Sequence, residues 1–458
     1  MALEKPEVVI RFGSHAEKDY VLKLSSFLDG LILGANLLEA TPGASASLLL
    51  KVGAKDARFF IDPMTYAYGA YIDPSSGSLR VDLDWIKSDQ TRKDAKGDKH
   101  TVRDFKRSYR ELSTQIGRPL VEALDRSRAI SPDKLASEKQ QVDFCGSVTD
   151  YQLDRIARIL EEDSELKDFV PNIPRPAAVF APYFYLEPTH TDEWLALNLK
   201  LMEITANLGL GVPVHGILCA DIEHLKNAEV RVQLADLLPK TGVAGVWLWF
   251  SAFLEESAPR EVLLNYRELV RELSNKVEVH AMHGGFFSLC LSKYGMQGVS
   301  HGVGYGEQKD VVPVIGQSTP TVRFYLPPLA RRLGVPNIER AFDALGVRTP
   351  QDFHDKVCNC AVCRGVVSNS LDEFSAFGQM RLSRTTAKRA AQTPAAAKRC
   401  RFHFLLCRLR ERDELRSVSL DHVVRRLQEA AATWGVQPSL SMTSDHLSRW
   451  SDVLRQSI

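Results

Sequence analysis

The order of apolar and polar residues divides the chain into short buried strands and amphipathic helices. From residue 30 to about 305, short apolar runs alternate with stretches whose apolar residues recur at helical spacing. Several runs are apolar at every position, as expected for parallel strands that are covered on both faces. The runs that predict strands cover residues 30–38, 57–63, 140–147, 176–186, 212–220, 242–253, 276–285 and 298–306.

The stretches between these runs predict helices, most clearly at 192–208 and 260–274. In 260–274, apolar residues recur every three or four positions, and Pro259 stands where a helix would begin. Eight strands alternating with helices are typical of an α/β fold of the (β/α)8 TIM-like barrel type. A doubly wound open sheet would give the same alternation, and the number of strands favours the barrel.

Two regions depart from this alternation. A polar hairpin-like stretch (71–100) and a helix (102–126) follow the second run, and short helices with turns replace the pattern after residue 320. We therefore predict a barrel over residues 1–320 with an insertion at about 64–140. A zinc-binding, helical C-terminal subdomain is predicted over 321–458.

Composition places the chain in a broad class. Of the 458 residues, 44% are hydrophobic and 25% are charged, as in soluble globular proteins. No apolar run approaches the roughly 20 residues needed to span a bilayer. The N-terminal residues include acids and a proline where a signal peptide needs a basic and then an apolar stretch. These features predict a cytoplasmic protein with no membrane partner.

Positive charge is concentrated in one segment, although the net charge of the chain is only +1. Ten residues from Arg381 to Arg412 are lysine or arginine, and one, Glu411, is acidic. The Ala-rich basic insert 381–401 favours contacts with nucleic-acid phosphates, and a solvated loop is the alternative. The residues expected to make these contacts are Arg381, Arg384, Lys388, Arg389, Lys398, Arg399 and Arg401.

Three of the eight cysteines lie within six residues, in the sequence Cys-Asn-Cys-Ala-Val-Cys at 358–363. Thiolates at this spacing can hold one tetrahedral ion from a single turn, and zinc favours sulfur and nitrogen ligands. Close cysteine spacing in a reduced protein is typical of metal binding. We predict a structural Zn2+ bound by Cys358, Cys360, Cys363 and His403. Cys400 and Cys407 flank His403, and Cys400 is an alternative fourth ligand.

Polar residues stand near the carboxyl ends of the predicted strands, where barrel enzymes place their active sites. Each histidine or aspartate taken singly is more often a helix cap or a hydrogen-bonded core residue, but the set together predicts a site. The predicted catalytic residues are Asp62, Glu307, His301 and His283. The predicted substrate-binding residues are Asp143, Tyr183, His215 and Trp249.

A barrel with a C-x-C-x-x-C cluster after its last strand and a later histidine on a helix resembles the tRNA-guanine transglycosylase superfamily. The resemblance covers residues from about 30 to 416 and is specific at the four predicted zinc ligands. It implies a structural zinc in a subdomain appended to the barrel. It also implies cleavage of an N-glycosidic bond in nucleic acid, with an aspartate nucleophile at a late strand and a second aspartate after an early one. Asp62 falls at the position of the early aspartate.

The sequence also departs from that family. The Gly-Gly-Phe-Gln turn after the early aspartate is replaced by Pro63-Met64-Thr65-Tyr66, and the late strand offers His301 and Glu307 in place of an aspartate. Such departures resemble a divergent branch of the superfamily, and some branches act on DNA in genome modification or anti-phage defence.

The main hypothesis is an enzyme that excises or exchanges a base, with DNA favoured over tRNA as the partner. A tRNA transglycosylase and a non-catalytic nucleic-acid binder on the same scaffold are the alternatives. An unrelated barrel enzyme acting on a small metabolite is a further one.

Overall fold

A computed structural model of the chain describes residues 6–55, 57–69, 87–93, 97, 99–125, 129–162, 173–188, 191–303, 310–311, 321–382, 390–435 and 444–456. Its centre is an eight-stranded parallel sheet rolled into a nearly closed barrel, which confirms the predicted TIM-like fold. The strands are β1 (Glu7–Phe12), β2 (Gly30–Gly34), β3 (Arg58–Asp62), β4 (Val179–Phe180), β5 (Val214–Asp221), β6 (Gly245–Ser251), β7 (Glu278–Ala281) and β8 (Gly298–Gly302).

The strands follow one another around the ring in chain order, and β1 pairs in parallel with β8. Between β3 and β4 the ring closes through a backbone hydrogen bond of 2.9 Å from Ala177 N–H to the carbonyl of Phe59. Every residue of β1, β2, β6 and β8 is buried. Helices therefore cover the outside of the ring while side chains fill its interior, as the continuously apolar runs predicted.

Two strand assignments differ from the sequence pattern. The strand predicted at 140–147 is wrong: these residues belong to a 25-residue helix whose buried Phe144, Val148 and Tyr151 recur at helical spacing. The missing strand is β1, where a glutamate and Arg11 interrupt the apolar run. Both charges are buried because Glu7 pairs with Arg58 and Arg11 with Asp62, 51 residues further along the chain in each case.

Helices connect the strands and surround the barrel. They are α1 (Lys18–Leu24), α2 (Ala35–Ala40), α3 (Pro42–Gly53), α4 (Tyr66–Gly69), α5 (Arg107–Ile116), α6 (Arg118–Asp125), α7 (Glu138–Glu162), α8 (Thr191–Ala206), α9 (Glu223–Lys226), α10 (Ala228–Lys240), α11 (Arg260–Ser274) and α12 (Phe286–Cys290). The predicted helix at 260–274 coincides with α11. Between α4 and α5, the backbone forms an antiparallel ribbon of Lys87–Lys93 and Lys99–Phe105.

After β8 the chain builds a smaller unit of helices and ribbons. Its helices are α13 (Val335–Glu339), α14 (Pro350–Lys356), α15 (Ala361–Val366), α16 (Pro394–Ser417), α17 (Leu420–Gly435) and α18 (Asp445–Arg455). Two short antiparallel ribbons join Phe324–Leu326 with Arg331–Leu333 and Met380–Leu382 with Ala390–Gln392. The expected domain boundary at 320 lies outside the described residues.

Helix α16 links this unit to the barrel because it lies against β1. Arg412 donates to a carboxylate oxygen of Asp29 at 2.8 Å and to the carbonyl of Phe27 at 2.6 Å. Arg416 reaches the other oxygen of Asp29 at 3.3 Å and the carbonyl of Pro6 at 3.2 Å. Helix α16 therefore packs on the outside of the barrel at β1, where it takes the place of the helix that follows the last strand of a (β/α)8 barrel.

The C-terminal part of the predicted basic insert 381–401 is helical. Helix α16 begins at Pro394, inside the insert, because Thr393 caps it by accepting the N–H of Ala396. Ala396 and Cys400 are fully buried. This part of the insert thus contributes to the core and is not a solvated loop.

Candidate active site and metal centre

The three cysteines of the C-x-C-x-x-C motif lie between α14 and α15. Cys360 is the N-cap residue of α15, and its sulfur accepts the N–H of Cys363 at 3.5 Å. Cys358 Sγ accepts the N–H of Cys360, also at 3.5 Å. These backbone bonds orient the sulfurs of Cys358 and Cys360 and stabilise thiolate charge on them.

His403 of α16 completes the cluster. Its Nδ1 lies 3.8 Å from Cys358 Sγ, 3.4 Å from Cys360 Sγ and 3.3 Å from Cys363 Sγ. All four donor atoms lie within 4.8 Å of one another. Tetrahedral bonds of about 2.3 Å to sulfur and 2.0 Å to nitrogen place neighbouring S and N ligands about 3.5 Å apart. The four residues can therefore hold one metal ion without rearrangement.

Contacts of the second ring nitrogen and of the ring face fix the orientation of the His403 imidazole. Nε2–H donates to the carbonyl of Tyr325 at 2.6 Å, and the imidazole stacks on Phe324 with ring centroids 4.0 Å apart. A histidine whose Nε2 carries the proton presents the Nδ1 lone pair to the cluster, as a metal ligand must. Cys400, the alternative fourth ligand, donates instead to the carbonyl of Phe377 at 3.4 Å and is not part of the four-residue group.

Asp62 ends β3 and lies at the barrel mouth, fully buried. Arg11 of β1 donates to its Oδ2 at 2.6 Å, while Tyr183 O–H and the backbone N–H of Met64 donate to its Oδ1 at 2.8 and 2.9 Å. Met64 has a left-handed backbone (φ +57°), which is a strained conformation for a side-chain-bearing residue. The mouth therefore contains a carboxylate held by three donors.

Arg11 is the site residue that the sequence pattern missed. Burial by itself lowers the pKa of Arg11, but the adjacent Asp62 carboxylate more than offsets this and holds the pKa above its usual value. Burial and then Asp62 raise the pKa of Tyr183, so its phenol keeps the proton that it donates. A lone arginine in the run EVVIRF was the available signal, because a buried cation requires a buried anion.

Aromatic rings surround the carboxylate. The ring of Tyr66 stacks on Tyr183 at 5.4 Å between centroids and meets Trp249 edge-on at 4.9 Å. Trp249 also lies 4.9 Å from the half-buried His283. A cavity of about 20 Å3 borders Trp249 and His283, with room for about one water molecule. The structure therefore brings together Asp62, Tyr183, Trp249 and His283, in a closed mouth.

Three predicted site residues lie elsewhere. His215 is the second residue of β5 and lies near the amino ends of the strands, opposite to the expected mouth. Its Nδ1 accepts the indole N–H of Trp247 at 3.0 Å. Burial, followed by the nearby His280, lowers the pKa of His215 to about 3. It is thus a neutral hydrogen-bonded core residue.

His301 faces away from the barrel interior. Its register partner on β1 is Ile10, the neighbour of the inward-facing Arg11, and adjacent residues of a strand point to opposite faces. The imidazole packs edge-on against Phe404 of α16, with ring centroids 5.0 Å apart. Burial and then Arg408 lower the pKa of His301 to about 3. A catalytic role at the mouth is therefore contradicted by the direction of its side chain.

Asp143 lies on α7, not at a strand end, and is exposed beside a surface groove of about 430 Å3. Its expected place depended on the strand at 140–147, which is a helix. The remaining predicted catalytic residue, Glu307, lies outside the described residues.

The predicted phosphate-binding residues divide into two groups. Lys398 forms an ion pair of 3.7 Å with Asp19, Arg399 donates to the carbonyl of Ala376 at 3.0 Å, and Arg401 lies over the ring of Tyr20. These three side chains thus make contacts within the protein. Arg381 is exposed, whereas Arg384, Lys388 and Arg389 lie outside the described part of the chain.

The described residues include no helix that combines the length and the apolarity needed to cross a bilayer. Searches against protein-family models and against curated proteins returned no match. The chemistry of this barrel must therefore be inferred from its own cluster of Arg11, Asp62 and Tyr183 and from its Cys3His centre.

Proposed function

We propose that the Cys3His cluster binds one zinc ion in a structural role. Three sulfurs and an Nδ1 atom that lie within 4.8 Å of one another are a donor set that zinc favours. Because the protein supplies all four ligands, no coordination position is left for a substrate. The ion would fasten α16 to the turn at 358–363.

Metal analysis of the purified chain tests this site. We expect one zinc per chain, and we expect Cys358→Ser combined with Cys363→Ser to lose it, since too few thiolates then remain to hold the ion in a tetrahedral site. Cys400→Ser is the matched control, because this buried thiol on α16 bonds to Phe377 and should leave the zinc content unchanged. A chain without zinc, or an equal loss in both variants, contradicts the assignment.

We propose that the barrel cleaves the N-glycosidic bond of a base in nucleic acid, acting on DNA in preference to tRNA, as a glycosylase or transglycosylase. The observation that carries this proposal is the Asp62 carboxylate, held at the barrel mouth beside Tyr66, Tyr183 and Trp249. When a base departs, positive charge develops on the sugar, and a nearby carboxylate stabilises that charge or attacks the anomeric carbon. His283 is the candidate acid that protonates the departing base.

Access to Asp62 is the main requirement of this function. The base must leave the nucleic-acid stack to enter a barrel mouth, and aromatic rings are suited to receive it. Tyr66 and Trp249 are buried against each other, and the neighbouring cavity of about 20 Å3 is much smaller than a base. Substrate binding therefore has to separate these rings, so that the base replaces one of their contacts.

A non-catalytic nucleic-acid binder on the same scaffold is the second candidate, and a specific observation favours it. Both oxygens of Asp62 are already engaged by Arg11, Tyr183 and the backbone of Met64. A carboxylate whose two oxygens already accept three hydrogen bonds is a weaker nucleophile, because its lone pairs are engaged. In this case Asp62 would serve to hold β1 and β3 together.

Incubation with modified phage DNA, unmodified DNA and tRNA separates the two candidates. Released base with abasic sites indicates excision, and a new base at the same position indicates exchange. We expect Asp62→Asn to lower the rate by about 100-fold or more. The control is Asp236→Asn, which removes an exposed carboxylate of α10 far from the mouth. Binding to all three substrates without base release or exchange would favour the non-catalytic binder.

A further inference from the structure

A fifth donor lies beside the proposed zinc site. Cys407 Sγ is 3.7 Å from Cys358 Sγ and 3.6 Å from Nδ1 of His403. A tetrahedral site with four ligands places two sulfurs about 3.8 Å apart and a sulfur and a nitrogen about 3.5 Å apart. The distances from Cys407 Sγ to Cys358 Sγ and to His403 Nδ1 therefore match those between two ligands of one zinc ion.

The position of Cys407 follows from the helix. Residues four apart lie on the same face, so His403 and Cys407 present their side chains to the cluster from successive turns of α16. The thiol is fully buried. Cys400, the other thiol of this helix, is three residues before His403 and bonds to a carbonyl instead. The two thiols are thus equally buried but differ in their access to the metal.

Four ligands complete tetrahedral zinc, so a set of five donors leaves one in reserve. The hydrogen bond from Nε2 to Tyr325 holds His403 in place as the resident ligand. Cys407 is not one of the four residues whose donor atoms all lie within 4.8 Å of one another, but its Sγ contacts Cys358 Sγ at 3.7 Å. Its sulfur is therefore close enough to take the coordination position of a resident ligand that is lost.

We propose that Cys407 is a reserve metal ligand that completes the tetrahedron when His403 or Cys360 is lost. In this exchange the thiol of Cys407 releases its proton to solvent, and its Sγ takes the coordination position that the departing atom leaves. No electron is transferred. Loss of His403 then gives a four-thiolate site of Cys358, Cys360, Cys363 and Cys407. The inference depends on the zinc assignment made above and adds a second ligand set to it.

The proposed role of Cys407 as a reserve ligand predicts which combinations of substitutions release the metal. His403→Ala and Cys360→Ala should each retain about one zinc per full-length chain, as should Cys407→Ala alone. His403→Ala combined with Cys407→Ala should contain none, because only three donors remain. The matched control combines His403→Ala with Cys400→Ala, which removes the uninvolved thiol of the same helix and should retain the ion.

Cobalt substitution identifies the ligands directly. Co2+ bound to the His403→Ala variant should show sulfur-to-metal charge-transfer absorption about one-third stronger than in the unsubstituted chain, since four thiolates replace three. A three-thiolate spectrum with a water ligand, or loss of zinc from His403→Ala as complete as from the double variant, would show that Cys407 only donates its S–H to Cys358. If both His403→Ala and Cys360→Ala fail to fold while Cys407→Ala folds, the reserve role is also wrong. Absence of zinc from the unsubstituted chain would instead overturn the metal site itself.

Discussion

Replacing Asp62 by asparagine should strongly destabilise the fold, besides its effect on any reaction. The carboxylate and the guanidinium of Arg11 are 2.6 Å apart, and their side chains are 0% and 8% exposed. Removing one partner of a buried ion pair leaves the other charge without compensation, at a cost of about 3–5 kcal/mol.

Urea unfolding of three variants measures this. Asp62→Asn should lower the unfolding midpoint by an amount equivalent to about 3–5 kcal/mol, with an unchanged dependence on urea. Combining Asp62→Leu with Arg11→Met removes both charges and should recover most of the loss. The control Asp236→Asn breaks an ion pair of the same 2.6 Å length with Lys240, but both side chains are exposed, and no measurable change is expected.

A loss below about 1 kcal/mol in Asp62→Asn would refute this reasoning. It would mean that Arg11 finds solvent or another anion at the mouth, and that the mouth is open enough to admit water. The same result would make access of a base to Asp62 easier, so the stability measurement also bears on the proposed reaction.

Three further outcomes are expected. Asp29→Ala should lower the free energy of unfolding by about 2–3 kcal/mol, because the carboxylate accepts from Arg412, Arg416 and the N–H of Val8, and urea unfolding measures this. Burial lowers the pKa of His446 to about 4, so the unfolded chain binds more protons than the folded one between about pH 4 and 6.5, and stability falls as pH falls through this window. When the pH is lowered from 7 to 5, the free energy of unfolding of His446→Phe should therefore fall by about 2 kcal/mol less than that of the unsubstituted chain. Equal losses would contradict the burial of His446 in its neutral form. Replacing Arg381, Arg384, Lys388 and Arg389 by alanine should make the slope of log K against log salt for DNA shallower, by roughly one unit for each phosphate that the variant no longer neutralises. An unchanged slope would mean that these side chains do not bind phosphate.

The sequence predicted those features whose physical signal is local. Apolar runs identified seven of the eight barrel strands, since a strand buried on both faces needs little beyond its own composition. The Cys3His cluster could also be predicted, because its three cysteines lie within six residues and His403 is the histidine flanked by two further cysteines. In both cases one or two short segments contain the pattern.

The features that the sequence did not reveal depend on distant partners. Arg11 is tolerated in β1 only because Asp62 lies beside it in the folded barrel. His301 faces α16 and not the barrel interior because its register partner is Ile10, a pairing that joins residues 291 positions apart. A register shift of one residue would have reversed its direction, and no local pattern fixes register across such a distance.

The position of α16 against β1 has a consequence for synthesis. The strand ends at Phe12, but the helix that covers it starts at Pro394. At roughly 5–20 residues per second, a ribosome needs about 20–80 s to make the intervening chain. During that time the outer face of β1 lacks its covering helix, and Asp29 lacks Arg412 and Arg416. The barrel is therefore covered only after residues from 394 onward have been made, so ribosome-bound chains that stop before residue 394 should be cleaved by added protease far faster than the completed protein.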